Sequence, residues 1–493
     1  PPGPAMRIAL IHHAGYPYRR DGVSAWCHEL LTGLGQHTYH VLSLRTPDRR
    51  PTPAYRPPAN VASLTEVAAD GPAAPPGGAR LRRRRAATAA AVRLARGLLA
   101  DGPHGDAMFA TGLRRLADLA GGGAHPLAGV PLPEVLLDAW QASRTARGAA
   151  AVPLPRLSLR EAGVAAALVE RAVRPLACRI PEVDLCHPVA AGAPLLVALA
   201  ARWRDGVPFL LTEQTVEVRQ RCLEAQRWAP PVRAVLVRFH RAVARLGYAE
   251  AGLVSAVSRF DQRWQLRYGP HPAKLVVVPN GHDPARSPAL PPPDGCALAW
   301  VGPVEPHEDL HTLLRAFAAV RRDLPAATLQ LGGPVPAGEQ AYADSCRALA
   351  AALDLGAAVR FLGPVADPRE GFRAAQVVVC PRVADGAADR LVQAMLCARP
   401  TVSADAGGAA ETVGDAGVLV PPGDPAALAA ACLALLRDPP RRAALGAAAR
   451  ARAVRHFGLR QMLAAYDQLY ADVRLDHAPS PVAPGAGSAA GAP

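Results

Sequence analysis

The stretch WVGPVEPHEDLHTLLRAF, residues 300–317, predicts the unit from which the fold is built: a short apolar strand, a glycine turn at Gly302 and a helix. The same succession recurs through the second half of the chain, where short β-rich runs alternate with helical stretches. These runs are residues 296–302, 327–333, 359–363, 376–381, 400–405 and 417–422. Strands that alternate with helices indicate βαβ units, so we predict a doubly wound parallel sheet covered by helices on both faces.

The first half of the chain follows this pattern less regularly. Its strand candidates are residues 6–13, 40–44, 207–213, 251–258 and 274–281. Between about 48 and 175 the chain is dense in proline, alanine, glycine and arginine, which predicts an irregular insertion of helices and loops.

The length predicts two domains, because the chain has 493 residues and single cores stop growing at roughly 250–300 residues. We predict an N-terminal Rossmann-like domain over 6–288, which contains the insertion, and a second Rossmann-like domain over 293–455. Residues 456–474 are predicted to form a helix that crosses back to the first domain. The tail, residues 477–493, has almost nothing to bury and is predicted to be disordered.

The charge of the chain is strongly basic, at +14, but it contains a single lysine, Lys274. Abundant arginine, alanine, glycine and proline are expected of GC-rich codons, so much of this charge does not identify a partner. A basic surface still favours phosphate-bearing or anionic partners. No interleaving of aromatic and basic residues supports a nucleic-acid partner, so none is predicted.

The segment RLRRRRAATAAAVRLARGLLA, residues 80–100, carries seven arginines and no acid. One interpretation is a basic amphipathic helix that contacts an anionic membrane. The other is a solvated helix whose charge reflects codon usage, and this is favoured because charge runs more often face solvent.

The compartment is predicted from three features. The nine cysteines are odd in number and contain no Cys-x-x-Cys pair, which favours reduced thiols in an intracellular protein. The longest apolar run, residues 189–201, is shorter than the ~18 residues of a membrane-spanning helix. The first residues lack a signal-peptide pattern, so we expect a cytoplasmic protein, with the inner face of the membrane as a candidate contact.

Polar residues and glycines cluster where the predicted strands end. Two facing sheets of this kind create a crevice at their carboxyl ends, where ligands bind. Gly22 follows the first strand, Glu213 and Gln214 end LLTEQT (210–215), and Asn280 ends the strand in VVVPNGHD (276–283). Gly302 and the stretch ADGAADRLVQAMLCARPTVSADAGGAAE, residues 384–411, complete the set.

These motifs together resemble the GT-B retaining glycosyltransferases of glycosyltransferase family 4, and within it a PelF-like branch with a long N-terminal domain. The resemblance rests on Tyr16-Pro17-Tyr18, Asp21-Gly22-Val23-Ser24-Ala25-Trp26, Leu211-Thr212-Glu213-Gln214 and Pro279-Asn280-Gly281. It covers most of residues 6–47 and 180–472. The resemblance implies an α/β protein of two facing Rossmann-like domains.

The same resemblance implies transfer of a hexose from a nucleotide diphosphate sugar, UDP- or GDP-linked, to an unknown acceptor hydroxyl, with retention of anomeric configuration. It implies neither a metal nor another cofactor. The products would be polysaccharides, glycolipids or glycosides. By family position, the catalytic residues would be Gln214 and Asp385. The donor-binding residues would be Gly22, Glu213, Asn280, Gly302, Arg382, Gly386, Gln393, Gly407, Gly408 and Glu411.

The chain departs from the family at several of these positions. The arginine and lysine that stabilise the departing diphosphate fall at Pro303 and about His307. Asp385 and Gln393 stand where the family has two glutamates, and Gln214 replaces a histidine. Asp389 adds a negative charge in the helix turn that faces the diphosphate. Two hypotheses therefore remain: an active glycosyltransferase, and a catalytically impaired protein that acts as a scaffold or partner subunit.

Structural roles are alternatives for several of these residues. The glycines at 302, 407 and 408 also suit ordinary turns between a strand and a helix. His187 matches a family histidine at a strand end, although a lone histidine is at least as often structural. Trp26 is expected to be a packing residue rather than a platform for a sugar.

Overall fold

The computed structural model describes residues 5–13, 15–45, 52–68, 80–120, 123–146, 154–365, 367–383 and 388–475. The tail predicted to be disordered, residues 477–493, and the predicted site residues Asp385 and Gly386 lie outside the described residues.

Thirteen strands are present in the described residues and divide between two lobes. The strands of the N-terminal lobe are β1 (Arg7–His13), β2 (Thr38–Arg45), β3 (Val61–Ala68), β4 (Leu185–Pro188), β5 (Leu210–Glu213), β6 (Leu253–Ala256) and β7 (Leu275–Val277). Those of the C-terminal lobe are β8 (Ala297–Val301), β9 (Thr328–Gly332), β10 (Val359–Gly363), β11 (Val377–Cys380), β12 (Thr401–Ala404) and β13 (Val418–Val420).

Both sheets are parallel. In the N-terminal lobe the strand order is β3-β2-β1-β4 and then β5-β6-β7, and two parallel bridges, Cys186 to Phe209 and Val189 to Thr212, join β4 to β5. The seven strands therefore form one continuous layer. In the C-terminal lobe the order is β10-β9-β8-β11-β12-β13. This arrangement confirms the predicted fold, two doubly wound α/β lobes.

Helices cover both sheets. In the N-terminal lobe they are α1 (Gly22–Gly33), α2 (Arg80–Leu99), α3 (Gly102–Ala120), α4 (Leu132–Ala146), α5 (Leu159–Val173), α6 (Ala193–Asp205), α7 (Glu217–Glu224), α8 (Pro230–Glu250) and α9 (Arg259–Leu266). In the second half of the chain they are α10 (Leu310–Asp323), α11 (Gln340–Ala352), α12 (Pro368–Arg373), α13 (Asp389–Leu396), α14 (Ala409–Val413), α15 (Pro425–Arg437), α16 (Pro439–His456) and α17 (Leu459–Leu475).

The segment between about 48 and 175 is more regular than its composition indicates. It contributes the edge strand β3 and the long helices α2 to α5. Alanine and leucine side chains of these helices, such as Ala91, Leu94 and Leu113, are buried in a common core with the helices of the sheet. The sequence analysis missed this order because alanine-rich helices lack a strong contrast between apolar and polar faces.

Strand β4 was also missed. Its sequence, Leu-Cys-His-Pro, contains a histidine and a proline, yet all four residues are buried at the centre of the sheet. The His187 ring is satisfied there, since Nδ1 lies 2.8 Å from the Tyr470 hydroxyl and Nε2 lies 2.8 Å from Thr212 Oγ1. A polar side chain is tolerated in a core strand when both of its nitrogens find partners.

Helix α17 packs against the N-terminal lobe although it follows the C-terminal lobe in the chain. Its apolar residues Met462, Tyr466, Tyr470 and Val473 are buried in the same cluster as strand β1 and helix α1. Close packing against α1 requires Gly33, where an added Cβ would lie only 2.2 Å from Leu463 Cδ1. The last of the described helices therefore completes the core of the first lobe.

Replacing Tyr470 with phenylalanine tests this packing. The change leaves Nδ1 of the fully buried His187 without its partner, and an unsatisfied buried polar atom costs about 1–3 kcal/mol. We expect the free energy of unfolding, measured by urea denaturation, to fall by that amount. Tyr55→Phe, which removes the hydroxyl of a half-buried tyrosine, is the matched control. Equal losses in the two variants would contradict the role of the His187 contact.

Candidate functional site

The lobes meet at segments that follow the carboxyl ends of their strands. From the N-terminal lobe come the start of α1 after β1, Gln214 after β5 and Asn280 after β7. From the C-terminal lobe come the start of α13, which follows β11, and the turn at Gly407 and Gly408, which follows β12. The predicted site residues that are described therefore lie mostly on two facing surfaces.

Asp389, in the first turn of α13, makes the central contact between these surfaces. The amide nitrogen of Asn280 donates hydrogen bonds to both of its carboxylate oxygens, at 3.2 and 3.3 Å. His282 Nε2 lies 3.3 Å from Oδ1 and carries the shared proton, because a carboxylate only accepts. Gly22, the first residue of α1, is also close, since an added Cβ there would lie 3.2 Å from Oδ2. One carboxylate thus occupies the space between the first turns of two helices.

Its surroundings keep Asp389 ionised. Burial opposes ionisation, but the hydrogen bond and charge of His282, the hydrogen bond of Asn280 and the charge of Arg390 outweigh burial and hold the pKa below its ordinary value. The first turn of a helix also stabilises a negative charge. The sequence predicts a negative charge at Asp389 in the helix turn that faces the diphosphate. The structure shows that Asn280 and His282 bind this charge.

Gln214 and Asn280 form a buried pair beside Asp389. The amide nitrogen of Asn280 donates to Gln214 Oε1 at 2.9 Å, and each side chain is only 8% exposed. Two atoms of this pair, Gln214 Nε2 and Asn280 Oδ1, have no hydrogen-bond partner in the described residues. One is a donor and the other an acceptor, which is the pairing that a hydroxyl group satisfies.

A cavity of about 370 Å³ opens between the lobes. Gly407 and Glu411 line it from the C-terminal lobe, together with Asp405. Arg219 of α7 and Arg263 of α9 line it from the N-terminal lobe. The cavity therefore has arginines on one wall and carboxylates on the other. Gly407 has a φ of +57°, which glycine adopts without strain.

Glu411 and Gly408 connect the same wall to helix α9. Glu411 Oε2 accepts a hydrogen bond of 2.7 Å from the backbone nitrogen of Arg259, the first residue of α9. An added Cβ at Gly408 would lie 3.2 Å from Ser258 Cβ, so the backbones of the two lobes approach closely here. Both residues hold the lobes together beside the cavity.

Arg382 and Gly302 lie around a buried carboxylate, Glu308. Arg382 Nη1 lies 3.6 Å from Glu308 Oε1, and Trp300 Nε1 lies 3.4 Å from Oε2. Burial raises the pKa of Glu308, although the charge of Arg382 opposes this shift. An added Cβ at Gly302 would lie 2.8 Å from the Trp300 ring and 3.4 Å from Glu308 Oε2, so this glycine is required by packing. The neighbouring His307 is exposed.

Gln393 lies half-buried in α13, one turn after Asp389. Its Oε1 accepts a hydrogen bond of 3.3 Å from Arg390 Nη1. In the family resemblance, Gln393 and Asp385 stand at the positions of two glutamates. Asp385 and Gly386 lie outside the described residues. The role of this pair stays a prediction.

Glu213 lies beneath the cleft and is fully buried. It accepts hydrogen bonds from the Tyr248 hydroxyl at 2.5 Å, Gln265 Nε2 at 2.9 Å and the backbone nitrogen of Glu217 at 3.1 Å. Burial raises its pKa to about 7 despite these donors. Its contacts fix the end of β5 and the start of α7, so it positions Gln214 and Arg219.

His187 and Trp26 belong to the core. Burial lowers the pKa of His187 to about 3, so its ring is neutral. The Trp26 ring packs edge-on against His187 and Tyr466, with ring centroids 5.7 and 5.3 Å away. These contacts agree with the packing roles considered for both residues.

Two residues of the cavity, Arg219 and Arg263, were absent from the sequence analysis. In the family resemblance, the cations that stabilise the diphosphate fall in the second half of the chain. These two arginines come from the opposite lobe. Arg219 lies over the Trp264 ring at 5.4 Å and Arg263 over the Phe260 ring at 5.9 Å. A signal for Arg263 was present in RFDQRWQL (259–266), where two arginines are each followed by an aromatic residue on a helix after a strand end. The sequence therefore does contain one short segment in which basic and aromatic residues are interleaved, contrary to the prediction above.

Comparison with known proteins agrees with this architecture. Residues 6–273 match the family described as "Domain of unknown function (DUF3492)", and residues 295–438 match "Glycosyl transferases group 1". Among solved structures, HepE from Anabaena in complex with UDP and glucose superposes with a TM-score of 0.60 at 18% identity, over 94% of this chain and 99% of that one. Sucrose-phosphate synthase from Thermosynechococcus elongatus gives 0.61 at 18%, over 96% and 100%.

Curated relatives match a shorter part of the chain. D-inositol 3-phosphate glycosyltransferase from Kineococcus radiotolerans is 36% identical over 214 residues, which are 38% of this chain and 49% of that protein. Its counterpart from Rhodococcus opacus is 29% identical over 270 residues, or 51% and 59%. The chain thus spans about half the length of these relatives.

The two parallel α/β lobes and the cleft between their strand ends define the GT-B fold. More particularly, the chain belongs to the family whose N-terminal region is the DUF3492 domain, here followed by a group 1 glycosyltransferase domain.

The described residues contain neither a cluster of metal ligands nor a helix that could span a membrane. In the part of the chain that the structure describes, no three His, Cys, Asp or Glu side chains converge as metal ligands would. Of the described helices, none combines the length and apolar character needed to cross a bilayer.

The raised pKa of Glu213 predicts a pH dependence of stability. In the unfolded chain Glu213 ionises near 4.5, and in the folded chain near 7. Below pH 4.5 Glu213 is protonated in both states. Between pH 4.5 and 7 the unfolded chain releases this proton whereas the folded chain retains it, so stability falls across this window and is constant above it. We expect the loss between about pH 5 and pH 8 to be ~3 kcal/mol smaller in Glu213→Gln, by urea denaturation.

The exposed Glu370 provides the control for this experiment. Glu370→Gln should retain the pH dependence of the wild type. If Glu213→Gln retains it as well, Glu213 does not ionise in this window and the assignment is wrong.

Proposed function

We propose that the chain is a retaining glycosyltransferase that moves a hexose from a UDP- or GDP-linked sugar to an acceptor hydroxyl. The observation that carries the proposal is the cavity between the lobes, where Arg219 and Arg263 face Gly407 and Glu411. In the reaction, the bond between the anomeric carbon and the diphosphate oxygen breaks, and a bond to the acceptor oxygen forms. The departing diphosphate takes up negative charge, which the site must stabilise.

The N-terminal lobe supplies the positive charge in this proposal. Pro303 carries no charge, and Arg382 is shared with Glu308, so these two positions of the C-terminal lobe offer little of it. Arg219 and Arg263 approach the same cavity from the other side. Guanidinium groups suit this task because they bind phosphate oxygens in pairs and stay charged at all relevant pH values.

The sugar and the ribose would be held by neutral and acidic side chains. The unsatisfied atoms Gln214 Nε2 and Asn280 Oδ1 suit one sugar hydroxyl. Gln393 and Glu411 would accept hydrogen bonds from the nucleoside part of the donor, as the family resemblance implies. Asp385 is proposed to contact the donor sugar on the same ground.

The acceptor and the pathway rest on resemblance. HepE was solved with UDP, with UDP-glucose and with UDP and glucose, which supports a nucleotide-sugar donor here. Synthesis of a polysaccharide, glycolipid or glycoside in the cytoplasm, without a metal, follows from the likeness to family 4. The order of the N-terminal motifs supports placement in the PelF-like branch.

A second candidate, a non-catalytic scaffold, is favoured by one specific observation. Asp389 fills the space between the first turns of α1 and α13 with a negative charge, and Asn280 and His282 hold it there. An anion already present in a diphosphate site opposes donor binding. Under this alternative the lobes are fixed in contact and the chain binds a partner enzyme.

Titration with nucleotides separates the two candidates. A donor-using enzyme should gain about 2.7 kcal/mol of apparent stability at a UDP or GDP concentration of 100 times Kd. Arg219→Gln and Arg263→Gln should each weaken this binding by ~10–150-fold, the value of one charge-assisted hydrogen bond of about 1.5–3 kcal/mol. Calorimetry measures both effects.

Arg114→Gln, a change at an exposed arginine of α3 that does not line the cavity, is the control and should bind as the wild type does. Absence of a response to UDP, GDP and ADP alike would reject the enzyme and support the scaffold. Binding that is unchanged in both arginine variants would remove Arg219 and Arg263 from the site.

Neutralising Asp389 should have the opposite effect on affinity. In Asp389→Asn the like charge beside the diphosphate is lost, and one charge at a helix N-terminus is worth ~0.3–2 kcal/mol. We expect UDP to bind about 2–30-fold more tightly, by calorimetry. Glu134→Gln, in the first turn of α4 and away from the cleft, should leave affinity unchanged. Weaker binding in Asp389→Asn would show that Asp389 assists the donor instead of opposing it.

A further inference from the structure

A groove on the N-terminal lobe runs along helix α2 and encloses about 620 Å³. Arg84, Arg85, Arg93 and Arg96 line it with guanidinium groups. Apolar side chains of Leu81, Val92, Met108 and Pro131 line it as well. The groove lies apart from the cavity between the lobes, with which it shares no lining residue.

One face of α2 is buried in the core of the lobe, and the other is exposed. One face is buried against α3 and α4 through alanines and leucines such as Ala87, Ala91 and Leu94. Arg83 also points inward, where it donates to the backbone oxygens of Leu119 and His125. The other face carries the four groove arginines, all of them exposed. Of the α2 arginines whose side chains are described, Arg83 therefore points inward, whereas Arg82 and the four groove arginines are exposed.

The groove arginines have no acidic partner among the described residues. None of the four forms an ion pair with an acid in the described part of the chain, whereas nearby arginines do: Arg245 with Asp106, and Arg115 with Asp118. The acids of the neighbouring helix α3 are therefore engaged elsewhere. Four uncompensated charges on one face attract an anionic surface.

The apolar residues that line the groove favour a partner that has apolar as well as anionic parts. Leu81 is 62% exposed at one end of the groove, in line with Arg85, Val92 and Arg96 on the same helical face. No aromatic ring lines the groove, so it lacks the stacking surfaces typical of single-stranded nucleic-acid sites. Charge beside apolar side chains matches an amphiphile with an anionic head group and an acyl chain.

We propose that this groove docks the protein on a membrane of anionic phospholipids, with the phosphates on the four arginines and Leu81 in the acyl boundary. The arginine stems cover apolar surface while their guanidinium groups reach the head groups. Because the groove lies outside the donor site, the proposal stands independently of the reaction.

Sedimentation of the full chain with lipid vesicles tests the proposal. We expect binding to vesicles of phosphatidylglycerol and phosphatidylcholine, and at least tenfold weaker binding to phosphatidylcholine alone. The double variant Arg84→Gln/Arg93→Gln should bind about 25-fold more weakly, at roughly fivefold for each charge near an anionic surface. Leu81→Ser should weaken binding about fivefold, since an exposed leucine enters the membrane.

A matched pair of exposed arginines outside the groove provides the control. Arg114→Gln/Arg144→Gln removes the same charge from the same lobe and should change binding less than about twofold. All of these side chains are exposed, so circular dichroism should show every variant folded.

Three results would overturn the proposal. They are equal binding to neutral and anionic vesicles, equal losses in the groove and control pairs, and displacement from vesicles by soluble glycerol phosphate, which would indicate a site for a free phosphate. Tighter binding to a DNA duplex than to vesicles, with the same dependence on Arg84 and Arg93, would assign the groove to nucleic acid.

Discussion

The carboxylate of Asp389, held between the first turns of α13 and α1, sets the electrostatics of the whole cleft. Asn280 and His282 of the other lobe bind it, so the contact that brings the lobes together also holds a negative charge in the cleft. Any phosphate that enters must displace this carboxylate or be compensated by cations elsewhere. The position of the arginines then becomes the decisive feature of the site.

The cations are divided between the lobes in an unusual way. Arg382 lies beside the buried Glu308, whereas Arg219 of α7 and Arg263 of α9 line the cavity together with Gly407. Binding a phosphate therefore depends on how the lobes approach each other, since neither lobe holds all of its contacts. Glu411, which accepts from the start of α9, and Gly408, which packs against Ser258, fix that approach. Under the proposed function, closure of the lobes and donor binding are linked through these few residues.

The fold was predictable because strands and helices alternate and are separated by recognisable turn and helix-capping residues. All six predicted strands of the C-terminal lobe are present, and the Asp424-Pro425 pair caps α15, where Asp424 accepts from two backbone nitrogens. Two strands, β3 and β4, were missed because one is a half-exposed edge and the other buries a histidine whose partners lie far away in the chain. For the same reason the sequence located Gly407 and Glu411 near the cleft but not Arg219, whose neighbour across the cavity is almost 200 residues away. Local sequence patterns predict individual strands and helices. Charged residues that meet between the lobes can be identified only once the packing of the lobes is known.

A crystal structure of the chain grown with UDP tests this account most directly. The account predicts a diphosphate between the lobes, with its oxygens within hydrogen-bond distance of Arg219 or Arg263 and with the Asp389 carboxylate turned away from Asn280. A diphosphate bound outside this cavity, with Asp389 still held by Asn280 and His282 and both arginines untouched, would contradict it.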